Sequence, residues 1–184
     1  MKRLVTGGSI QAAARAGTRM VYGLATLQSP VELYTSDIKG KRTARLTRFN
    51  DRRLAGLMLG DYEQFSFQGW NEETVYGFVI KPVGVMEGRK FPVAFIVHGG
   101  PQGSSGNEFH YRWNPQPYAA AGYGVVVIDF HGSTGYGQAF TDSISGDWGG
   151  KPLVDLQKGL EAALEKYEFL DGDRVAALGA SNGG

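Results

Sequence analysis

Two nearly unbroken apolar runs, Phe91–Val97 and Val125–Phe130, constrain this chain more than any other feature. A strand with one wet face alternates apolar and polar residues. A run that is apolar at almost every position has both faces covered, as in a parallel sheet flanked by helices. A helical stretch near Pro117–Ala121 leads into the second run. After it, Leu153, Leu156, Leu160, Leu164 and Tyr167 recur at i, i+3, i+7, i+11 and i+14, one apolar stripe along an amphipathic helix. Asp171-Gly172-Asp173 then turns the chain into a third buried-strand segment, Val175–Leu178. Ahead of all these, Gln64–Gln68 and Val75–Ile80 read as a strand pair around Trp70-Asn71-Glu72. Buried strands alternating with helices predict crossover connections and a mainly parallel α/β sheet.

The first 60 residues have a different rhythm. Arg3–Thr6, Met20–Ala25, Val31–Thr35 and Thr43–Arg48 are strand-like and are separated by Gly7-Gly8, Gly17, Ser29-Pro30 and Gly40. Short strands at this spacing resemble one sheet of a sandwich or barrel, or one propeller blade, which alone cannot bury both faces. The reading is therefore two regions, residues 1–60 and residues 61–184. Charge divides in nearly the same place: residues 1–53 hold 11 Lys/Arg and 3 Asp/Glu, and residues 54–184 hold 8 and 15. The basic residues fall in turns and strand ends rather than on a helix, so two differently charged surfaces are expected and no nucleic-acid-binding arm. The absence of cysteine excludes a disulfide framework and a thiolate metal site. No apolar run nears the roughly 18 residues of a membrane span, and no membrane partner is expected. Met1-Lys2-Arg3 reaches Gly7-Gly8 without an apolar core, which is not the pattern of a secretory signal.

Gly179-Ala180-Ser181-Asn182-Gly183 follows directly on the third apolar segment and matches G-x-S-x-G. In that strand-to-helix elbow a serine is forced into a tight, strained turn that pushes its hydroxyl out beyond the sheet. Ser181 is therefore the candidate nucleophile, with the N–H of Asn182 directed toward a bound carbonyl oxygen. His98-Gly99-Gly100-Pro101 ends the first apolar run, where an α/β-hydrolase places its second oxyanion donor. Glycine lets the backbone approach substrate closely, and Gly100 is the candidate donor. His98 is not assigned as the base, because this fold orders its triad serine, acid, histidine; it is expected to shape the loop. His110 reads as a surface or loop residue. His131, two residues after Asp129, lacks a third ligand at metal-site spacing, so no metal is expected. Neither G-x-G-x-x-G nor the P-loop string occurs, and no cofactor is expected.

These segments, together with Asp129-Phe130-His131-Gly132-Ser133-Thr134-Gly135-Tyr136-Gly137 and the closing Gly184, resemble the catalytic domain of the prolyl oligopeptidase family of serine peptidases, in its acylaminoacyl-peptidase and dipeptidyl-peptidase branch. The similarity spans about Asp61 to Gly184. The strand-rich start resembles the closing blade of the β-propeller that precedes this domain in the family, with Ser29-Pro30 as the turn into the strand Val31–Thr35. The resemblance implies the N-terminal half of an α/β-hydrolase fold after a propeller-like blade. It implies hydrolysis of short peptides through an acyl-enzyme on Ser181, with an oxyanion hole from Gly100 and Asn182. Many relatives carry Arg at the position of His131. The histidine, followed by Gln138 and Phe140-Thr141-Asp142, is more like the dipeptidyl-peptidase side. The triad acid and base are expected beyond residue 184, so these 184 residues alone are expected to be inactive and, with an open apolar strand edge, to aggregate or be poorly ordered. The alternatives are a carboxylesterase or lipase of the same fold, which uses the same elbow and oxyanion loop, and a non-catalytic binding protein on a hydrolase scaffold.

Overall fold

The computed structural model describes residues 3–184, and its strands fall into two separate sheets. The first is a four-stranded antiparallel meander in the order β1 (Ser9–Ala16), β2 (Arg19–Thr26), β3 (Ser29–Asp37) and β4 (Ala44–Arg45). Gly17, at φ +60°, closes the β1–β2 turn, a conformation that glycine adopts without steric cost. Arg3–Thr6, expected as the first strand, is not one; the strand is Ser-Ile-Gln-Ala-Ala-Ala-Arg-Ala at Ser9–Ala16. Alanine is a poor strand former, and the segment is held instead by its ladder to β2, where Ala13 faces Tyr22 and Arg15 faces Met20. Ser29-Pro30 opens β3 rather than forming the turn before it; that turn is Leu27-Gln28.

The buried carboxylate of Glu32 ties β3 to the segment that follows β4 and to a single helical turn, α1 (Asp51–Leu54). It accepts hydrogen bonds from the Asn50 N–H at 2.8 Å, Asn50 Nδ2 at 3.0 Å, the Phe49 N–H at 3.2 Å and the Thr47 hydroxyl, with Arg45 Nη2 at 3.2 Å. Burial acts to raise its pKa, but the hydrogen bonds from Thr47, Asn50 and Phe49 outweigh it and hold the value at about 2. A carboxylate depressed on folding stabilises the folded state above its ordinary pKa, and that stability disappears as pH falls through the folded value. The Glu32 contribution is therefore lost between about pH 4.5 and about pH 2. Glu32→Gln is expected to destabilise this sheet by about 2–3 kcal/mol at pH 7 and to flatten its stability over that acid window. Hydrogen-exchange rates of the Phe49 and Asn50 amides in the full-length protein check both effects.

The second sheet has five strands in the order β5-β6-β8-β7-β9: β5 (Tyr62–Gln68), β6 (Thr74–Ile80), β7 (Phe91–Val97), β8 (Gly124–Asp129) and β9 (Leu170–Gly179). It is mixed rather than mainly parallel: β5–β6 and β6–β8 are antiparallel, β7–β8 and β7–β9 parallel. The reason is connection length. A tight turn over Trp70–Glu72, with Asn71 at φ +52° and Glu72 at φ +59°, joins β5 to β6 and permits only a hairpin. The connections into β8 and β9 carry α2 (Gln116–Ala120), then α3 (Gln138–Asp142) and α4 (Gly150–Lys166), which return the chain for parallel pairing. Because β9 lies beside β7, with Gly179 opposite Val97, the loops that leave these two strands start side by side.

The core joins Phe65, Val75, Val93, Phe95, Val126 and Ile128 to Ala163, Tyr167 and Leu170. On α4 the buried residues are Pro152, Asp155, Gly159 and Ala163, while Leu156, Leu160 and Leu164 flank the core and Leu153 is 55% exposed. The stripe expected from leucine spacing is thus rotated toward small residues, because the helix packs close to the sheet. A Cβ at Gly159 would lie 2.7 Å from both Ile128 and Phe67. By contact density the chain forms two units: residues 1–59 with Asn107–Asn114, and Gly60–Gly106 with Pro115–Gly184. The excursion joins the first unit through the Asn107 side chain, which accepts the Leu27 N–H at 2.9 Å, and through Gln11, which donates to Glu108 at 3.2 Å. Among the described residues no helix is long and apolar enough to cross a membrane.

Candidate active site

At the end of β9, Ala180 is still extended (φ −150°, ψ 155°), and the next residue, Ser181, sits at φ +58°. For a residue with a Cβ that left-handed conformation costs roughly 1–2 kcal/mol, so the surrounding turn must enforce it. The turn is a short helical one, Ser181–Gly183, in which Gly183 N–H donates to Ala180 O and Gly184 N–H to Ser181 O, both at 3.1 Å. The glycines at either end are sterically required. A Cβ at Gly179 would lie 1.5 Å from the Gly183 carbonyl oxygen, and one at Gly183 would lie 2.3 Å from that of Val97. The elbow leaves Ser181 exposed and Asn182 half-buried. Asn182 also borders an apolar cleft of about 360 Å³ with Val97, Phe130, Trp148 and Leu153.

The loop after β7 lies directly against this serine. A Cβ built on Gly99 would stand 2.9 Å from Ala180 O and 3.8 Å from Ser181 Oγ. Gly100, at φ +136°, follows with its backbone exposed. Ser181, Asn182 and Gly99-Gly100 are thus gathered at one corner, at the C-terminal ends of two adjacent parallel strands. Ligands in open α/β sheets bind at that edge.

His98 is engaged within the loop. Its Nδ1 lies 2.9 Å from Gly99 O, its Nε2 lies 2.9 Å from Ser133 Oγ, and its ring stacks on Phe130 at 4.2 Å. Behind it is Asp129, the last residue of β8 and 2% exposed, whose sequence position was weighed only as a possible metal partner of His131. It accepts from Ser104 Oγ at 2.8 Å, the Ser105 N–H at 2.6 Å and Tyr136 Oη at 2.6 Å. Burial, and then the adjoining Asp129 charge, raise the Tyr136 pKa well above the phenol range, so Tyr136 remains a neutral donor. One carboxylate thereby binds the loop after β7 to the loop after β8. A charged residue closing an otherwise apolar strand was the available signal.

His131 is buried at 1% exposure. Its backbone N–H and its Nδ1 both meet Asp155 Oδ2, at 2.7 and 2.6 Å, and Nε2 lies 3.3 Å from Glu73. The other Asp155 oxygen accepts the Trp70 N–H at 2.7 Å. A side chain bonded at both ring nitrogens and packed 4.3 Å from Phe140 serves as a brace between α4 and the β5–β6 turn. His110 caps a turn, its Nδ1 accepting the Arg112 and Trp113 N–H groups. All three imidazoles are therefore committed to partners other than Ser181.

A family model for the prolyl oligopeptidase family matches residues 109–184. Dipeptidyl-peptidase 5 of Schizosaccharomyces pombe is 44% identical over 129 residues, 70% of this chain and 19% of that protein. Its Aspergillus fumigatus counterpart is 43% identical over 134 residues, 73% and 18%. The chain spans about a fifth of the length of these curated relatives. Among solved structures, an acylaminoacyl peptidase in complex with Z-Gly-Gly-Phe-chloromethyl ketone superposes with a TM-score of 0.85 at 30% identity, over 97% of this chain and 28% of that one. The uncomplexed Pyrococcus horikoshii acylaminoacyl peptidase gives 0.83 at 29% identity, over 97% and 28%. With the elbow, the His-Gly-Gly-Pro loop and these likenesses in agreement, the chain belongs to the prolyl oligopeptidase family.

Proposed function

We propose that the full-length protein carrying this chain is a serine peptidase that hydrolyses short peptides through an acyl-enzyme on Ser181. The observation that carries this reading is Ser181 at φ +58°, in a turn that requires glycine on both sides and lies against Gly99. Residues 61–184 supply the N-terminal part of an α/β-hydrolase catalytic domain, and residues 1–60, with their four-stranded antiparallel sheet, are the closing blade of a β-propeller.

In the reaction, Ser181 Oγ bonds to the scissile carbonyl carbon as its proton passes to a histidine supplied, with its acid, from beyond residue 184. The negative oxygen of the tetrahedral intermediate accepts hydrogen bonds from the N–H groups of Gly100 and Asn182. Each such donor lowers the barrier by about 3–4 kcal/mol. The intermediate collapses as the C–N bond breaks, and the amine leaves with the proton held by the histidine. Water then attacks the ester carbonyl, with the same histidine as base, and frees Ser181. His98 and His131 take no part as bases, since their ring nitrogens are held by Gly99, Ser133, Asp155 and Glu73.

Dipeptidyl anilides, N-acetyl-aminoacyl anilides and p-nitrophenyl esters, assayed in parallel on the full-length protein, test the substrate class. Amide turnover on the dipeptidyl or acylated substrates is expected. Turnover of the esters alone would favour a carboxylesterase, and no turnover or fluorophosphonate labelling would favour a non-catalytic binding protein.

A further inference from the structure

The turn between β5 and β6 is held against its own backbone preference. Asn71 (φ +52°) and Glu72 (φ +59°) are both left-handed, and neither is glycine. Asparagine tolerates that region, whereas glutamate enters it at a steric cost. Two backbone bonds close the turn, Glu73 N–H to Trp70 O at 3.1 Å and Gly69 N–H to Glu73 O at 2.8 Å. Helix α4 then grips its first half. Asp155 accepts the Trp70 N–H at 2.7 Å, Lys158 Nζ donates to Gly69 O at 2.9 Å, and Lys151 Nζ lies 4.3 Å over the Trp70 ring. The Glu73 side chain has a different partner. Its carboxylate lies 3.3 Å from His131 Nε2, and among the described residues no lysine or arginine pairs with it.

His131 thus stands between two carboxylates, with Nδ1 2.6 Å from Asp155 Oδ2 and Nε2 facing Glu73. An ionised carboxylate only accepts, so each contact needs its own hydrogen on the ring. With both hydrogens the ring is a cation and both contacts hold. With one, Nδ1 keeps it, because Asp155 is fully buried while Glu73 is half-exposed and can turn to water. Nε2 then meets Glu73 as a bare lone pair, and that contact breaks. No neighbouring charge replaces the lost hydrogen. On α4, Lys151 sits over Trp70 and Lys158 lies 3.4 Å from Glu72. From α3, Phe140 stacks on the imidazole, and Asp142 is bound by Gln138. Asp129 of β8 is engaged by Ser104, Ser105 and Tyr136. We propose that His131 and Glu73 form a proton-controlled latch on the strained β5–β6 turn, closed while Nε2 carries a hydrogen and released when it is lost. Because Tyr76 pairs with Asp129, the turn lies at the C-terminal end of β8, on the sheet edge that bears Ser181. The closed form binds the extra proton, so the turn is held more firmly at lower pH and loosens as pH rises. That is the reverse of the Glu32 effect in the first sheet. The latch does not depend on Ser181 being the nucleophile.

The test is hydrogen exchange of the full-length protein, mapped by peptic digestion and mass spectrometry between about pH 5 and pH 8, where histidine changes charge. Rates are divided by the intrinsic exchange rate at each pH. In the wild type, the peptide covering residues 69–75 is expected to lose protection by about 3- to 10-fold in a single-proton step as pH rises. A peptide covering Phe91–Val97 should show no such step. Glu73→Gln keeps a partner for either ring form, since its amide accepts from Nε2–H and donates to a bare Nε2; protection of the turn should then vary by less than about twofold. Glu73→Ala leaves Nε2 no partner and should stay near the wild type's alkaline level at every pH. Both substitutions fall on a half-exposed side chain, so the fold is expected to survive them. Wild-type protection that does not respond to pH, or a step that persists in either variant, overturns the proposal.

Discussion

Ser181→Ala in the full-length protein is expected to lower kcat on peptide anilides by about four to six orders of magnitude, while KM stays within a few-fold. In the proposed reaction the substitution removes the atom that bonds to the scissile carbon, and it leaves the rest of the elbow in place. Alanine even fits the turn, because the left-handed strain at φ +58° depends on the Cβ that both residues share. Thermal stability should therefore change little, which separates this loss from unfolding. A steady-state assay freed of wild-type contamination, paired with a melting curve, makes the measurement. A fall of tenfold or less would remove Ser181 from the chemistry.

Gly179→Ala should be as damaging by another route. A methyl there would sit 1.5 Å from the Gly183 carbonyl oxygen, a backbone atom that can move only if the elbow opens. Opening it displaces both Ser181 and the Asn182 N–H, so the proposed nucleophile and oxyanion donor are lost together. The expected result is a fall in kcat/KM of at least about 10³-fold, since loss of one oxyanion donor alone costs about 10²–10³. Gly56→Ala is the matched control: the residue is exposed in the first unit, a Cβ there meets nothing within 4 Å, and its φ lies outside the left-handed region. It should leave kcat/KM unchanged within about twofold, in keeping with surface substitutions away from special features. Comparable losses in both variants would mean that the elbow's steric demand is not what places the serine.

Much of the catalytic-type unit was readable from apolar patterning, because covered strands in an α/β sheet leave little choice of residue. Phe91–Val97 coincides with β7, and the run Val125–Phe130 overlaps β8 (Gly124–Asp129). The elbow was equally legible, since the strand-to-helix corner needs glycine where the sequence has Gly179 and Gly183. Three features were not. β1 is built of alanines that have no strand preference and is recruited by pairing, which a local reading does not detect. The packed face of α4 follows Gly159 and Asp155 instead of the leucines, because close approach to the sheet favours the smallest side chain, and Asp155 turns inward to meet His131 and Trp70. The excursion Asn107–Asn114 joins the first unit through long-range bonds to Leu27 and Gln11.

The buried carboxylates show why the site's supports were harder to see than the site itself. Asp129 and Asp155 lie 26 residues apart, and neither belongs to the nucleophile motif. Each accepts three hydrogen bonds from groups on other segments, and these bonds exist only once the loops converge. The His131 imidazole reaches Asp155 and Glu73 and lies 4.3 Å from the Phe140 ring. The position therefore serves packing in this chain.

Everything proposed for catalysis depends on Ser181 being chemically activated in the intact protein. The direct measurement is to treat the full-length protein with a fluorophosphonate, digest it and locate the adduct by peptide mass mapping. One stoichiometric adduct on Ser181 is the predicted result. No adduct, or one on a different side chain, would contradict it.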